Sequence, residues 1–163
     1  MPSYAKFDIW QNTAGITRQS VIQVVQMTTT SRVSTSSTTF VDAAGYTATI
    51  TPTSASNKIL VLSTLYHGST TNYAIWFRLF RDTTAIADAV GYSGGATNAV
   101  YMNMCSPINY LDSPGTASAI TYKIQIKSDN ASATVFLGGP PNNTYGGGTA
   151  LNNNTILLLE IAS

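Results

Sequence analysis

The chain has 163 residues, only 9 % of them charged, and a net charge of +1. That length suits one domain with a full core. The charge balance leaves no electrostatic footprint for nucleic acid or for an anionic membrane surface. Thr, Ser and Asn fill roughly a third of the chain, well above ordinary usage. Since β-branched and aromatic residues are also plentiful, the composition predicts a folded chain with a polar, uncharged surface.

Residues 1–19 read as an N-terminal arm. It carries Phe7, Ile9 and Trp10 without a clear period, and it lacks the basic and apolar regions of a signal peptide. No window shows helical periodicity, whereas strand signals recur between turn residues. Val21–Gln26 is the first predicted strand, followed by a Thr/Ser tract over Thr28–Thr39. Phe40-Val41 and Tyr46–Thr51 read as short strands around a bend at Ala43-Ala44-Gly45. After a turn at Pro52–Asn57 come strands at Lys58–Tyr66 and Ala74–Phe80, the latter turning at Asp82-Thr83 into Ala85–Ala89. Gly91–Asn98 is a Gly-rich loop, Val100–Cys105 a strand and Asn109–Ala117 a loop. Ile120–Lys127 alternates cleanly and Ala133–Leu137 follows as a strand. Gly138–Asn154 is a long loop, and Thr155–Ile161 closes the chain. Short strands at this spacing predict an all-β fold, a single β-sandwich or jelly roll over residues 20–163.

Two runs break the alternation expected of a sheet with one wet face. Ile59-Leu60-Val61-Leu62 and Ile156-Leu157-Leu158-Leu159 are apolar on both faces, and Trp76-Phe77 with Leu79-Phe80 repeat the pattern. One sandwich covers one face of each sheet, so the second cover is most simply another copy of the chain, the alternative being the loops or the N-terminal arm. Trp76, Arg78, Phe80, Leu158 and Glu160 are the candidate interface residues. Arg78 and Glu160 interrupt apolar strands, and a buried charge needs a partner. The two are therefore expected either to pair near the oligomer axis, within or between subunits, or to be solvated charges on edge strands.

Convergent catalytic chemistry is scarce. His67 is the single histidine, which excludes a multi-histidine metal site, and its place at a strand end suits a surface or interface role. Cys105 is alone and is expected to be a small buried residue. The acids Asp8, Asp42, Asp82, Asp88, Asp112, Asp129 and Glu160 form no close pair in sequence. No Gly-x-Ser-x-Gly elbow or phosphate loop is present. The reading is a non-enzyme without metal or cofactor, and a polysaccharide-degrading enzyme is the remote alternative. What remains is binding. Tyr92, Asn142, Asn143 and Tyr145 lie in or beside the Gly/Asn-rich loops, as do Tyr73 and Tyr101. Tyr with Asn, Ser and Gly makes an adaptable contact surface, here a candidate for a host-surface glycan.

The set Thr38–Asp42, Tyr46–Pro52, Ser56–Val61, Phe77–Arg81, Tyr110–Pro114, Thr121–Lys123 and Thr155–Ile161 resembles a family of tailed-phage virion structural and tail-fibre-tip proteins. The resemblance covers roughly residues 20–163 and extends more weakly to the trimeric jelly roll of the C1q and tumour-necrosis-factor type. It implies a homotrimer with its apolar strands about a three-fold axis, on the virion surface after synthesis in the host bacterial cytoplasm. Its partners would be other virion proteins of the capsid or tail, with no nucleic acid and no membrane insertion. Phe7, Ile9 and Trp10 become candidate virion anchors. A surface knob, fibre tip or adhesin is the leading role, and a capsid decoration protein that stabilises the shell is the alternative.

Overall fold

The structure is a computed structural model, and it describes residues 10–11, 17–92, 103–142, 144–145, 148–149 and 152–163. The strands are β1 (Trp10–Gln11), β2 (Thr17–Arg18), β3 (Val21–Thr29), β4 (Val33–Thr35), β5 (Val41–Ile50), β6 (Lys58–Ser69) and β7 (Ala74–Arg81). They continue as β8 (Thr84–Tyr92), β9 (Met104–Asp112), β10 (Ile120–Ser128), β11 (Val135–Leu137), β12 (Thr144–Tyr145), β13 (Gly148–Thr149) and β14 (Asn154–Ile161). No helix occurs among the described residues.

One sheet runs β3-β14-β6, with β9 on the far edge of β6 and β11-β4 extending its upper end. The other runs β5-β10-β7-β8. Counted along the chain, the eight long strands fall as 1-8-3-6 in one sheet and 2-7-4-5 in the other. This is the strand order of a jelly roll, in which two antiparallel sheets face each other. The small pairs β1-β2 and β12-β13 stand apart from both sheets.

Alternation explains the layering. In β10, Ile120, Tyr122, Ile124 and Ile126 point inward, while Thr121, Lys123, Gln125 and Lys127 point out. They meet Ile59, Val61 and Leu65 of β6, Ile156 and Leu158 of β14, and Phe77 and Leu79 of β7 in one continuous core. Polar groups that enter this core are paired. The buried Asp112 on β9 accepts from Arg81 Nη1 of β7 at 2.9 and 3.1 Å and from the Tyr122 hydroxyl of β10 at 2.7 Å. That cluster ties the two sheets together at one end.

Two predicted boundaries shift. The bend at Ala43-Ala44-Gly45 does not end a strand, because β5 runs unbroken from Val41 to Ile50. Its extra residues form a bulge opposite Lys123 and Gln125, and Gly45 supplies the positive φ of 83° that the bulge requires. The second shift concerns residues 104–112, which form β9, although the stretch from Asn109 reads as loop. The turn residues Asp112-Ser113-Pro114-Gly115 suggest a loop, but pairing with β6 holds the chain extended as far as Asp112, and Pro107 is tolerated because β9 is an edge strand.

Candidate functional site: an apolar sheet face without cover

The outer face of the six-stranded sheet is built by the strands that seemed doubly apolar. On β6, Ile59 and Val61 enter the core and Leu60 and Leu62 turn out. On β14, Ile156 and Leu158 enter and Leu157 and Leu159 turn out. Register then aligns the outward side chains. Leu159 lies between Val24 of β3 and Leu60, and Leu60 lies beside Leu111 of β9. One rung of the sheet is thus Val24–Leu159–Leu60–Leu111. The next is Gln26–Leu157–Leu62–Asn109. Val24 is 57 % exposed and Leu111 50 % exposed at the two ends of the apolar rung. Covering a Val or Leu side chain contributes about 1.5–3 kcal/mol, so leaving this row in water forgoes several kcal/mol per chain.

The predicted interface residues are not the ones on this face. Leu158 and Glu160 point inward and are fully buried in their own chain, which leaves them no surface to offer. Trp76, Arg78 and Phe80 point outward, but from the opposite sheet. The expected Arg78–Glu160 pair is therefore absent within the chain. Arg78 instead forms a bidentate pair with Asp88 on β8, with both bonds 2.7 Å. This pair lifts the guanidinium pKa and lowers that of Asp88. Glu160 Oε1 accepts from the Thr53 backbone N–H, the Thr53 hydroxyl and the Asn57 amide at 2.7–2.8 Å. With its amide oriented to suit its neighbours, Gln23 donates to Oε2 at 3.0 Å. Burial alone would raise the Glu160 pKa, but the donors from Asn57 and Thr53 outweigh it and hold the carboxylate ionised.

The two-sided pattern of β7 has a different cause from that of β6 and β14. Its outward rings lie under cations of their own chain. Lys127 Nζ is 5.2 Å from both the Trp76 and Phe40 ring centroids, the Arg78 guanidinium is 4.1 Å from Phe40, and Lys123 Nζ is 5.4 Å from Phe80. Asp42 completes this face by accepting from Gln125 and Lys123, which lower its pKa. Among the described residues, this sheet has its own polar cover and the apolar rung of the six-stranded sheet has none.

Two further expectations are corrected. His67 is not at the surface. It is fully buried, edge-on to Phe77 at 5.3 Å, with Nε2 2.9 Å from the Ser106 hydroxyl and Nδ1 without a partner. Burial pulls its pKa down to about 4, so the imidazole is neutral at pH 7. Cys105 is not buried. It lies exposed on the outer face of β9, opposite Tyr66. Both follow from register, which sets which side each residue of a strand faces.

The described carboxylates are each engaged. Besides those above, Asp82 accepts from the Thr121 N–H and Asp129 from the Trp76 indole. No group of three or more metal-binding side chains converges among the described residues.

The loop residues divide. Tyr92 ends β8 and is 63 % exposed, and Asn142 is exposed. Asn143 lies outside the described residues, and of Tyr145 only the backbone is described, paired with Gly148. The roots of the two Gly/Asn-rich loops are bound together. Asn103 donates to Asn152 at 2.8 Å, Asn152 to the Gly138 carbonyl at 3.3 Å, and Asn154 accepts from the Tyr66 N–H at 2.7 Å. In the arm, Phe7 and Ile9 lie outside the described residues, and the backbone of Trp10 pairs with Arg18.

No protein-family model matches the chain, and neither does any curated protein. Among solved structures it is similar to the infectious bursal disease virus VP2 subviral particle, at 13 % identity and a TM-score of 0.44, over 99 % of this chain and 43 % of that one. A structure of the Gx strain of the same virus gives 13 % identity and a TM-score of 0.45, over 99 % of this chain and 44 % of that one. The chain thus spans less than half the length of these proteins. At such identity the likeness is one of fold alone.

Proposed function

We propose that this chain is a non-enzymatic structural protein of a bacteriophage virion, a homotrimeric surface knob or fibre tip on the tail or capsid. The observation that carries the reading is the rung Val24–Leu159–Leu60–Leu111, apolar across four strands and open to water in a single chain. A contiguous apolar patch on a small domain marks a contact surface. Two things favour copies of the same chain as the cover. The rung carries no charge, so the apolar surface of another copy can cover it, and most soluble oligomers are closed symmetric assemblies of identical chains. The sequence motifs also resemble those of tailed-phage virion structural and tail-fibre-tip proteins, a resemblance that implies a trimer. The four-stranded sheet, with its own charged cover, then faces outward. Residues 1–19 are left as the attachment to the virion. Engagement of the described carboxylates in structural pairs supports a role without catalysis.

Light-scattering mass of the purified chain, with and without residues 1–19, tests the assembly. Three chain masses are expected for both forms, and Leu159→Asp is expected to give a folded monomer. A monomer of the full-length chain would overturn the reading.

A further inference from the structure

The outward face of β7 and β8 carries a second surface of different chemistry. Register places Ala74 opposite Tyr92, Trp76 opposite Val90 and Arg78 opposite Asp88. An apolar strip of Trp76, Val90 and Tyr92 therefore runs beside the Arg78–Asp88 fork. Val90 is 44 % and Tyr92 63 % exposed. On the other side of the fork from this strip lies a shallow, open groove of about 370 Å³, lined by Arg78, Ala85, Ile86, Ala87 and Asp88.

The charges on this face cancel. Arg78, Lys123 and Lys127 are matched by Asp42, Asp88 and Asp129. A polyanion or polycation finds no excess of opposite charge here. A neutral ligand whose groups both donate and accept does find partners. Arg78 uses Nε and Nη2 on Asp88, and Nη1 remains as a further donor, while the Asp88 oxygens keep lone pairs beyond the two bonds. Beside the fork, Val90 and the exposed ring of Tyr92 suit the C–H face of a sugar ring, with Trp76, under Lys127, at their flank.

We propose that this groove binds a neutral oligosaccharide chain. The fork is hydrogen-bonded to ring hydroxyls, and the chain lies along Trp76, Val90 and Tyr92. This deepens the surface-attachment reading above and rests on it. The ligand class follows from the zero net charge of the face together with the pairing of an apolar strip and a two-sided polar fork.

Trp76 can report the binding directly. In a Trp10→Phe background its fluorescence would be titrated with dextran and laminarin as neutral chains and polygalacturonate as the anionic control. A saturable change with a neutral chain in the millimolar range or tighter is expected. Tyr92→Ala and Asp88→Asn should each weaken it about tenfold, a loss of about 1.4 kcal/mol. Tyr92 is too exposed to hold up the fold, so its variant separates lost binding from lost structure. No response to either neutral chain, a preference for polygalacturonate, or unaltered binding by both variants would overturn the proposal. Light-scattering mass of the same samples reports the trimer separately, so failure of one idea is not mistaken for failure of the other.

Discussion

At Glu160 four donors converge on a carboxylate that the sequence alone presents as an anomaly in an apolar strand. Three come from the β5–β6 turn, at Thr53 and Asn57, and one comes from Gln23 on β3. The residue fastens the turn and the first strand to the last. Replacing it with Gln keeps the shape but puts an N–H where an acceptor is needed. Glu160→Gln is expected to cost roughly 2–4 kcal/mol in urea unfolding. His67 makes the opposite case, a titratable group buried without compensation. The unfolded chain binds its proton near pH 6.5, whereas the folded chain resists until about 4. Below pH 6.5 the unfolded state therefore holds more protons, and stability is lost as the pH falls from there towards 4. The total contribution is about 3 kcal/mol. Urea midpoints measured across pH 7 to 4 should show that slope, and His67→Gln should flatten it.

At the scale of elements, most of the sheet was readable from the sequence because polar and apolar residues alternate along β10, and β6 and β14 are short apolar runs bounded by turn residues. The misreadings have local causes. The turn residues Asp112-Ser113-Pro114-Gly115 extend the loop reading back over Asn109–Leu111, which pairing with β6 keeps in β9. Gly45 disguised β5 as two strands because its left-handed backbone serves a bulge as well as a turn. Other glycines were necessary for reasons invisible in sequence. A Cβ on Gly91 would sit 2.4 Å from the His67 ring, so β8 can cross the histidine only at glycine. Gly138 has a φ of 104°, and a Cβ there would lie 2.4 Å from the Ser31 carbonyl. Gly91→Ala and Gly138→Ala are each expected to cost about 1–3 kcal/mol in thermal or urea unfolding. Gly45→Asn, with open space at its Cβ and a side chain tolerant of this φ, should cost well under 1 kcal/mol.

For the whole molecule, the two sheets divide the labour. One face is ion-paired and ring-capped, and the other is an apolar row. The doubly apolar strands β6 and β14 turn Leu60, Leu62, Leu157 and Leu159 outward, whereas Trp76, Arg78 and Phe80 face out from the other sheet and Leu158 and Glu160 face inward. The structure separates the two cases by what lies over each ring or leucine. A direct comparison follows. Arg78→Met should leave the oligomer mass unchanged, because Arg78 is remote from the apolar row and already satisfied by Asp88. Leu60→Asp, on the row itself, should dissociate the assembly while circular dichroism still reports β structure. If Arg78→Met dissociated it instead, the four-stranded face would be the interface.

The sequence by itself determined the class of fold and the presence of strands apolar on both sides. These are properties of composition and of a period of two, and they need no knowledge of neighbours. Only the tertiary structure decided which of those strands keep an open apolar face, that Glu160 is clamped by Thr53, Asn57 and Gln23 rather than by Arg78, and that His67 is interior while Cys105 is not. The physical reason is register. Moving a strand by one residue exchanges its faces, and the pairing that fixes this is made between residues far apart in the chain.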